Sequence, residues 1–576
     1  MIGIKAAQSK KNTRQNFLHG AAILVGATAI VKVIGAIFKI PLGNLIGETG
    51  MGYFQTAYDL YLPIYSLAMA GLPVAVSKMV AESVAQNRYR DARSLLRIAR
   101  YSFLTTGLIG FFVMMAITYP YIALTNNSIR TLPGLLSIAP SILFCCMMSA
   151  YRGYYEGLRN MTPTAVSQVI EAIGKLFLGL GLAFIVQKLG WGVEYQAAAA
   201  ILGITVGTLF GAIYLSLRYR VSSDGITQED LLGSPQEQRS SQLLRGLIRI
   251  AIPVVLGSLV VNIASLVDVT TVQFRLSQVV ENDLDALKQM YPQMYQALLR
   301  DSASEADAIA NIPTYLYGCY KGFAYSIYNL VPTITSVLGV SALPALASAW
   351  AAQRRDEVRL NMESVLRITA LLSFPCGIGM AVLSEPILSL LYPSKPIGAA
   401  ISAPILVVLG IAAVFAGLAM PLTNMLQGIG KQNLPLRNIA VGAVLKIICN
   451  YILVGIPSIN VHGAPVGTAV CYGYIFFMNL YYLIKYTKIR PSFWKTLLKP
   501  LIASVISCTC GYAAFCILFE KLLISSRISV ILAIVFTAFV YLLCVIFLKI
   551  LTKEDVLMLP KGQKIGKVLE KRHWIC

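Results

Sequence analysis

Lys32 and Lys39 stand seven residues apart in an otherwise apolar run from Ile30 to Ile40. Seven residues are close to two helical turns, so a helix places both ammonium groups on one face. A charge in the middle of a membrane span costs roughly 2.5–3.5 kcal/mol on insertion scales, so each such residue asks for a reason. A third lysine, Lys321, opens a tyrosine-rich apolar stretch further along. Two or three fixed cations in a low-dielectric cavity would hold a diphosphate-like anion. The plainer alternative has Lys39 snorkelling to an interface and Lys321 sitting at the membrane edge.

Around these cations lie groups suited to sugars. The run Tyr53, Gln55, Tyr58, Asp59, Tyr61 offers hydrogen bonds to hydroxyls, and Asp59 would equally serve as a charge partner for the lysines. Tyr325 belongs to a second cluster with Tyr315, Tyr317, Tyr320 and Tyr328 at helical spacings, as a cavity lining or an interfacial belt. Asp268 and Asn262 are the candidates for holding a coupling cation, although a hard cation wants more oxygens than these two supply. Glu171 and Lys175 are one turn apart and are expected to pair along one helix, with Lys446 as a partial echo. Arg152 and Glu156, at i,i+4, would anchor a helix end or form a gate.

The elements that position these residues follow from composition. The chain is 57% apolar and 13% charged, far from the mix of a water-soluble domain. Apolar stretches of spanning length fall at about 17–41, 52–76, 97–121, 131–156, 164–187, 195–217, 246–271, 316–346, 365–391, 400–427, 436–456, 463–486, 497–519 and 527–551. The expected fold is therefore an all-α polytopic membrane protein with about fourteen transmembrane helices. The spans near 52–76 and 316–346 are the most polar, which suits segments facing protein or water rather than lipid. Lys5, Lys10, Lys11 and Arg14 precede the first run, and Ala27-Thr28-Ala29 resembles a signal-peptidase site. Because the run continues to Ile40, it is read as an uncleaved span.

The net charge of +22 is spread in short basic runs between spans, which sets orientation and argues against nucleic-acid binding. The basic loops, from Arg88-Arg90-Arg93-Arg97 to the tail Lys561–Arg572, share one side, while the loop 275–312 is acidic. Both termini are thus expected in the cytoplasm. The eleven cysteines lack ligand spacing and read as apolar packing residues, so no metal is expected.

Sliding the chain against itself by about 271 residues exposes a repeat. Gly71-Leu72-Pro73 matches Ala342-Leu343-Pro344, Leu95-Leu96-Arg97-Ile98 matches Val365-Leu366-Arg367-Ile368, Lys175 matches Lys446 and Gly192 matches Gly463. The unit is six spans, giving two parallel six-helix lobes plus two C-terminal helices. The expected division is an N-terminal lobe over 1–220, a cytoplasmic linker over 221–245, a C-terminal lobe over 246–490, and a last helix pair with its basic tail over 491–576. Parallel repeats around a central cavity are the geometry of an alternating-access transporter.

Ile30 through Ile34-Gly35, Gly50 and Tyr53 to Leu72-Pro73, together with Val337-Leu338-Gly339 and Pro344, resemble the MurJ-like and stage V sporulation protein B branch of the multidrug/oligosaccharidyl-lipid/polysaccharide exporters. The resemblance implies two lobes around a V-shaped cavity, a groove formed partly by the last two helices, and export of lipid II or a related undecaprenyl-diphosphate sugar. It also places an arginine of the MurJ-like pattern at Tyr325, and its second-span arginine has no cationic match here.

The expected function is a flippase for an undecaprenyl-diphosphate-linked oligosaccharide in the bacterial cytoplasmic membrane, with Lys32, Lys39, Lys321, Asp59, Tyr53, Gln55 and Tyr325 as the substrate set. Membrane lipids and cell-wall synthesis machinery are the expected surroundings. Alternatives are an exporter of another polysaccharide or spore-cortex precursor, and a cation-coupled multidrug exporter, which should have twelve helices and acidic cavity residues. A membrane glycosyltransferase would need convergent carboxylates or a catalytic histidine, and only His19, His462 and His573 are present. No cofactor or ATP motif is expected, leaving a sodium or proton gradient, membrane potential or mass action to drive transport.

Overall fold

The apolar runs carry no strand-like alternation, and in the computed structural model they form helices. The structure describes residues 17–66, 71–124, 129–222, 224–521, 525–552 and 555. The N-terminal basic residues, the span residues 67–70 and the tail Lys561–Arg572 lie outside them. Every regular element among the described residues is helical, and eleven helical stretches there are long and apolar enough to cross a membrane. Large apolar side chains such as Phe112, Phe177, Val535 and Phe547 stand exposed along these stretches, as surfaces wetted by lipid do. The chain is an all-α polytopic membrane protein.

It divides into two compact units, Met1–Phe274 and Arg275–Cys576. In the first, α1 (Phe17–Ser66) is a single helical element interrupted at Gly47, whose φ of 69° and ψ of −170° leave the helical region. Such angles are open essentially to glycine alone. The expected span 17–41 is its first arm, and its second arm covers the expected span 52–76 only as far as Ser66. Gly71 and Pro73, expected to close a span, instead open a new helix, α2 (Leu72–Ala85), with the proline in its first turn, where the missing N–H costs nothing. There follow α3 (Tyr89–Leu124), α4 (Leu132–Gly157), α5 (Thr162–Lys188), α6 (Val193–Val221) and α7 (Ser240–Asn282), whose last residues lie past the division at Phe274.

Helices α5 and α6 pack through glycines. A Cβ on Gly174 would come 2.6 Å from the Cα of Gly207, and one on Gly207 would come 2.8 Å from the carbonyl oxygen of Glu171. Small residues let the backbones touch where no hydrophobic drive separates helix from lipid.

In the second unit, the acidic stretch expected as a loop holds two short helices, α8 (Leu284–Met290) and α9 (Pro292–Asp301). The expected span 316–346 is divided: α10 (Glu305–Tyr317) passes into a π-helical turn, Gly318–Ala324, then α11 (Tyr325–Tyr328) and α12 (Leu330–Ala351). Beyond come α13 (Arg355–Val382), α14 (Pro396–Gly428), α15 (Asn433–Val454), α16 (Gly463–Thr487), α17 (Lys499–Cys516) and α18 (Ser526–Phe547).

The repeat reappears in the helix ends. Gly157 and Gly428 close corresponding helices, and Thr162 and Asn433 open the next ones, each pair 271 residues apart. The last two helices dock on α13, where Cys508 lies 3.7 Å from the Pro375 carbonyl oxygen and the Tyr541 hydroxyl donates to the Leu371 carbonyl at 2.8 Å.

Candidate functional site

In the first unit the two arms of α1 are brought side by side. Along one straight helix, residues 39 and 55 would be about 24 Å apart, yet the Lys39 ammonium donates to Gln55 Oε1 at 3.1 Å. The break at Gly47, midway between them, reverses the chain. Gln55 Nε2 in turn donates to Asp59 Oδ1 at 2.9 Å, so a lysine, an amide and a carboxylate form one relay. Gln55, Asp59 and Tyr53 are buried, Lys39 is half-buried, and Lys32, two turns earlier, is exposed. The relay satisfies both ends of the Gln55 amide, as burial of polar groups requires.

Rings surround this relay. Phe38 packs on Phe54 with centroids 6.0 Å apart, and Phe54, Tyr58, Tyr61 and Tyr65 follow one another along the second arm at 6.0, 6.0 and 5.2 Å. The Lys175 ammonium of α5 lies 5.1 Å from the Phe38 centroid and 5.2 Å from that of Tyr58, within cation–π reach of both.

The expected pair of Glu171 with Lys175 does not form. Glu171 accepts from Arg152 Nη2 at 3.1 Å, and Arg152 also donates to Ser167 Oγ at 2.9 Å. The i,i+4 pair of Arg152 with Glu156 is replaced by the same bond. An arginine fork buried at a helix crossing reaches a carboxylate on the facing helix better than one on its own surface.

Asp268 on α7 is buried and Asn262 half-buried. Six residues apart, they point about 120° from one another around the helix and do not share a face. The nearby Gln273 donates to Thr56 Oγ1 at 2.6 Å, tying α7 to the second arm of α1 beside the relay.

In the second unit Lys321 is buried in the middle of the π-helical turn. Its ammonium lies 4.3 Å from the Tyr325 centroid and 5.4 Å from that of Tyr320. The extra residue of a π-turn re-aims side chains and recurs at functional sites. Tyr317, Tyr320, Tyr325 and Tyr328 form a continuous ring series with centroids 6.4, 6.0 and 4.8 Å apart, extended to Tyr472 at 6.5 Å. The Tyr320 hydroxyl is 3.2 Å from Thr468 Oγ1. Tyr325, half-buried, is thus the ring facing Lys321 most closely, while Tyr317, Tyr320 and Tyr328 are buried.

The sequence pattern missed three features: the reversal at Gly47, the π-turn, and Lys175 held by rings. The first two had signals in Gly47 with Gly50, and in Gly318 with Gly322. The third was hidden by a carboxylate four residues away.

Two helical units with a common repeat, each holding a lysine against aromatic rings, define a polytopic all-α membrane protein. The polysaccharide biosynthesis protein model matches residues 17–351, and the model of lipid II flippase MurJ matches residues 322–537. The chain belongs to the polysaccharide biosynthesis protein family, in the MurJ-like branch of the multidrug/oligosaccharidyl-lipid/polysaccharide exporter superfamily. It is 24% identical to stage V sporulation protein B of Bacillus subtilis over 95% of this chain and 98% of that one. It is also 24% identical to the lipid II flippase MurJ of Bacillus subtilis, over 92% and 94%. Its fold is similar to a solved lipid II flippase MurJ in an inward closed conformation, with a TM-score of 0.62 and 16% identity over 90% of this chain and 97% of that one.

Proposed function

We propose that the chain is a flippase carrying a polyprenyl-diphosphate-linked oligosaccharide of the lipid II type across the cytoplasmic membrane by alternating access. The observation that carries this reading is Lys321, an ammonium buried on the π-helical turn and faced by two tyrosine rings. A fixed cation there attracts a diphosphate, and the half-buried Tyr325 ring beside it offers a face to a sugar. Lys39 with Gln55 and Asp59 offers a second polar surface of the same character. Both termini lie in the cytoplasm in this reading, and a gradient, the membrane potential or mass action supplies the drive.

Similarity to a sporulation protein at the same identity as to a lipid II flippase supports a second cargo of this class, a spore-cortex precursor. Complementation separates them. The full chain is expressed in bacteria depleted of their essential lipid II flippase, beside Lys321→Ala and a Lys32→Ala/Lys39→Ala double variant at equal membrane abundance. Survival with the wild type but with neither variant is the expected result. Death with a well-inserted wild type rules out lipid II and moves the cargo to another polyprenyl-linked glycan.

A further inference from the structure

Lys175 is the group for which nothing so far accounts. It sits thirteen residues from each end of α5, which places it near the bilayer midplane, the costliest level for a charge. Its one-turn neighbour Glu171 is held by Arg152. Among the described residues Lys175 makes no ion pair, and its ammonium meets the faces of Phe38 and Tyr58. Those rings precede Lys39 and Asp59 in sequence, so the lysine is set against both arms of α1 beside the Lys39–Gln55–Asp59 relay. Lys39 is near enough for its charge to act on Lys175.

Two ammonium groups that repel one another in a low-dielectric setting, one of them set against ring faces with its one-turn carboxylate neighbour already engaged by Arg152, gain most from a multivalent anion placed against both. Packing alone does not explain the residue, because a methionine would fill the same volume without the cost of a charge. The repeat puts another lysine, Lys446, at the corresponding place in α15.

We infer that Lys175 is a direct contact for the diphosphate of the lipid-linked cargo, acting with Lys39, and that it distinguishes a polyprenyl diphosphate from the uncharged polyprenol. This rests on the flippase reading above. The ring pair holds the ammonium in place while the site is empty, and the arriving phosphates add to the counter-charge of Glu171, which Arg152 shares.

The test uses full-length protein in nanodiscs, with undecaprenyl diphosphate and undecaprenol as probes, comparing wild type, Lys175→Arg, Lys175→Met and Lys321→Met. Wild type is expected to prefer the diphosphate at least ten-fold. Lys175→Met should lose most of that preference while binding undecaprenol unchanged, and Lys175→Arg should keep it. The unchanged undecaprenol binding reports a folded variant, so a packing defect is told apart from a lost contact. If Lys175→Met retains the wild-type preference while Lys321→Met loses it, the inference about Lys175 is overturned and the flippase reading stands. If wild type itself shows no preference, both fall.

Discussion

Arg152 of α4 and Glu171 of α5 are joined at 3.1 Å, and this one bond replaces two intrahelical pairs that each residue's i+4 neighbour would suggest. Arg152 is almost wholly buried, with its side chain 3% exposed, so its charge depends on Glu171 and on Ser167. Removing one partner of such a pair is expected to cost roughly 3 kcal/mol, because the other is left buried and uncompensated. Arg152→Ala and Glu171→Gln should therefore each lower the thermal midpoint in detergent. The double variant Arg152→Met/Glu171→Leu should recover much of the loss. Additive losses in the double variant would mean that the pair is not coupled.

Gly47 controls whether the two arms of α1 meet at all. Its φ of 69° with ψ of −170° is a region a Cβ makes costly, of order 1–3 kcal/mol. Gly47→Ala should destabilise the fold by that amount and separate Lys39 from Gln55. The separation can be read directly by disulfide trapping in a Lys39→Cys/Gln55→Cys background, where rapid cross-linking is expected with Gly47 and slow cross-linking with alanine. Equal rates would place the reversal elsewhere.

Why such features escaped the sequence follows from what periodicity encodes. Apolar runs report where a chain crosses a membrane, so the helices were legible from Leu, Ile and Val, and the repeat from matched positions such as Pro73 with Pro344 and Gly192 with Gly463. Fourteen spans were expected and eleven described stretches meet the length and composition of a span. The difference of three arises where the arms of α1 form one element, where the stretch near Lys321 is divided by its π-turn, and at the span expected over 246–271, which lies in α7 and is not among the eleven. Side-chain partnership is harder to read, because a buried arginine chooses between carboxylates by helix crossing geometry, which a single sequence does not contain. Lys39, Gln55 and Asp59 were picked out by residue type, and their order in a relay became visible only once the bend at Gly47 was known.

Outside the spans, Glu305 ties α8 and α9 to the start of α10. Tyr295 donates to its carboxylate at 2.6 Å and Lys288 lies 3.5 Å away. The Tyr295 hydrogen bond first, then the Lys288 charge, hold the Glu305 carboxyl below the usual range. Tyr295 and then Glu305 raise Lys288 above its own. A depressed carboxyl stabilises above its unfolded value of about 4.3 and loses that contribution as pH falls through the folded value. A raised lysine stabilises below about 10.4 and loses its share as pH rises through the folded value. Hydrogen exchange across residues 284–305, corrected for intrinsic rates, should thus be slowest between these limits and quicken on the acid side. Glu305→Gln should flatten the acid limb, and an unchanged limb would assign it to another carboxyl.

Tyr325 offers the sharpest test of how Lys321 is held. The ammonium is 4.3 Å from its ring centroid, and a desolvated cation–π contact contributes on the order of 2 kcal/mol, which at 1.4 kcal/mol per decade is about a thirty-fold effect. Phenylalanine keeps the ring face and loses the hydroxyl, whereas leucine loses the face. Tyr325→Phe should therefore support complementation nearly as well as wild type, while Tyr325→Leu should lower export in vesicles by ten-fold or more. Should both variants fail alike at equal abundance, the hydroxyl is the working group, and Tyr325 contacts the sugar by hydrogen bonding instead of steadying the lysine. Should both succeed, Lys321 is held by Tyr320 and the π-turn alone.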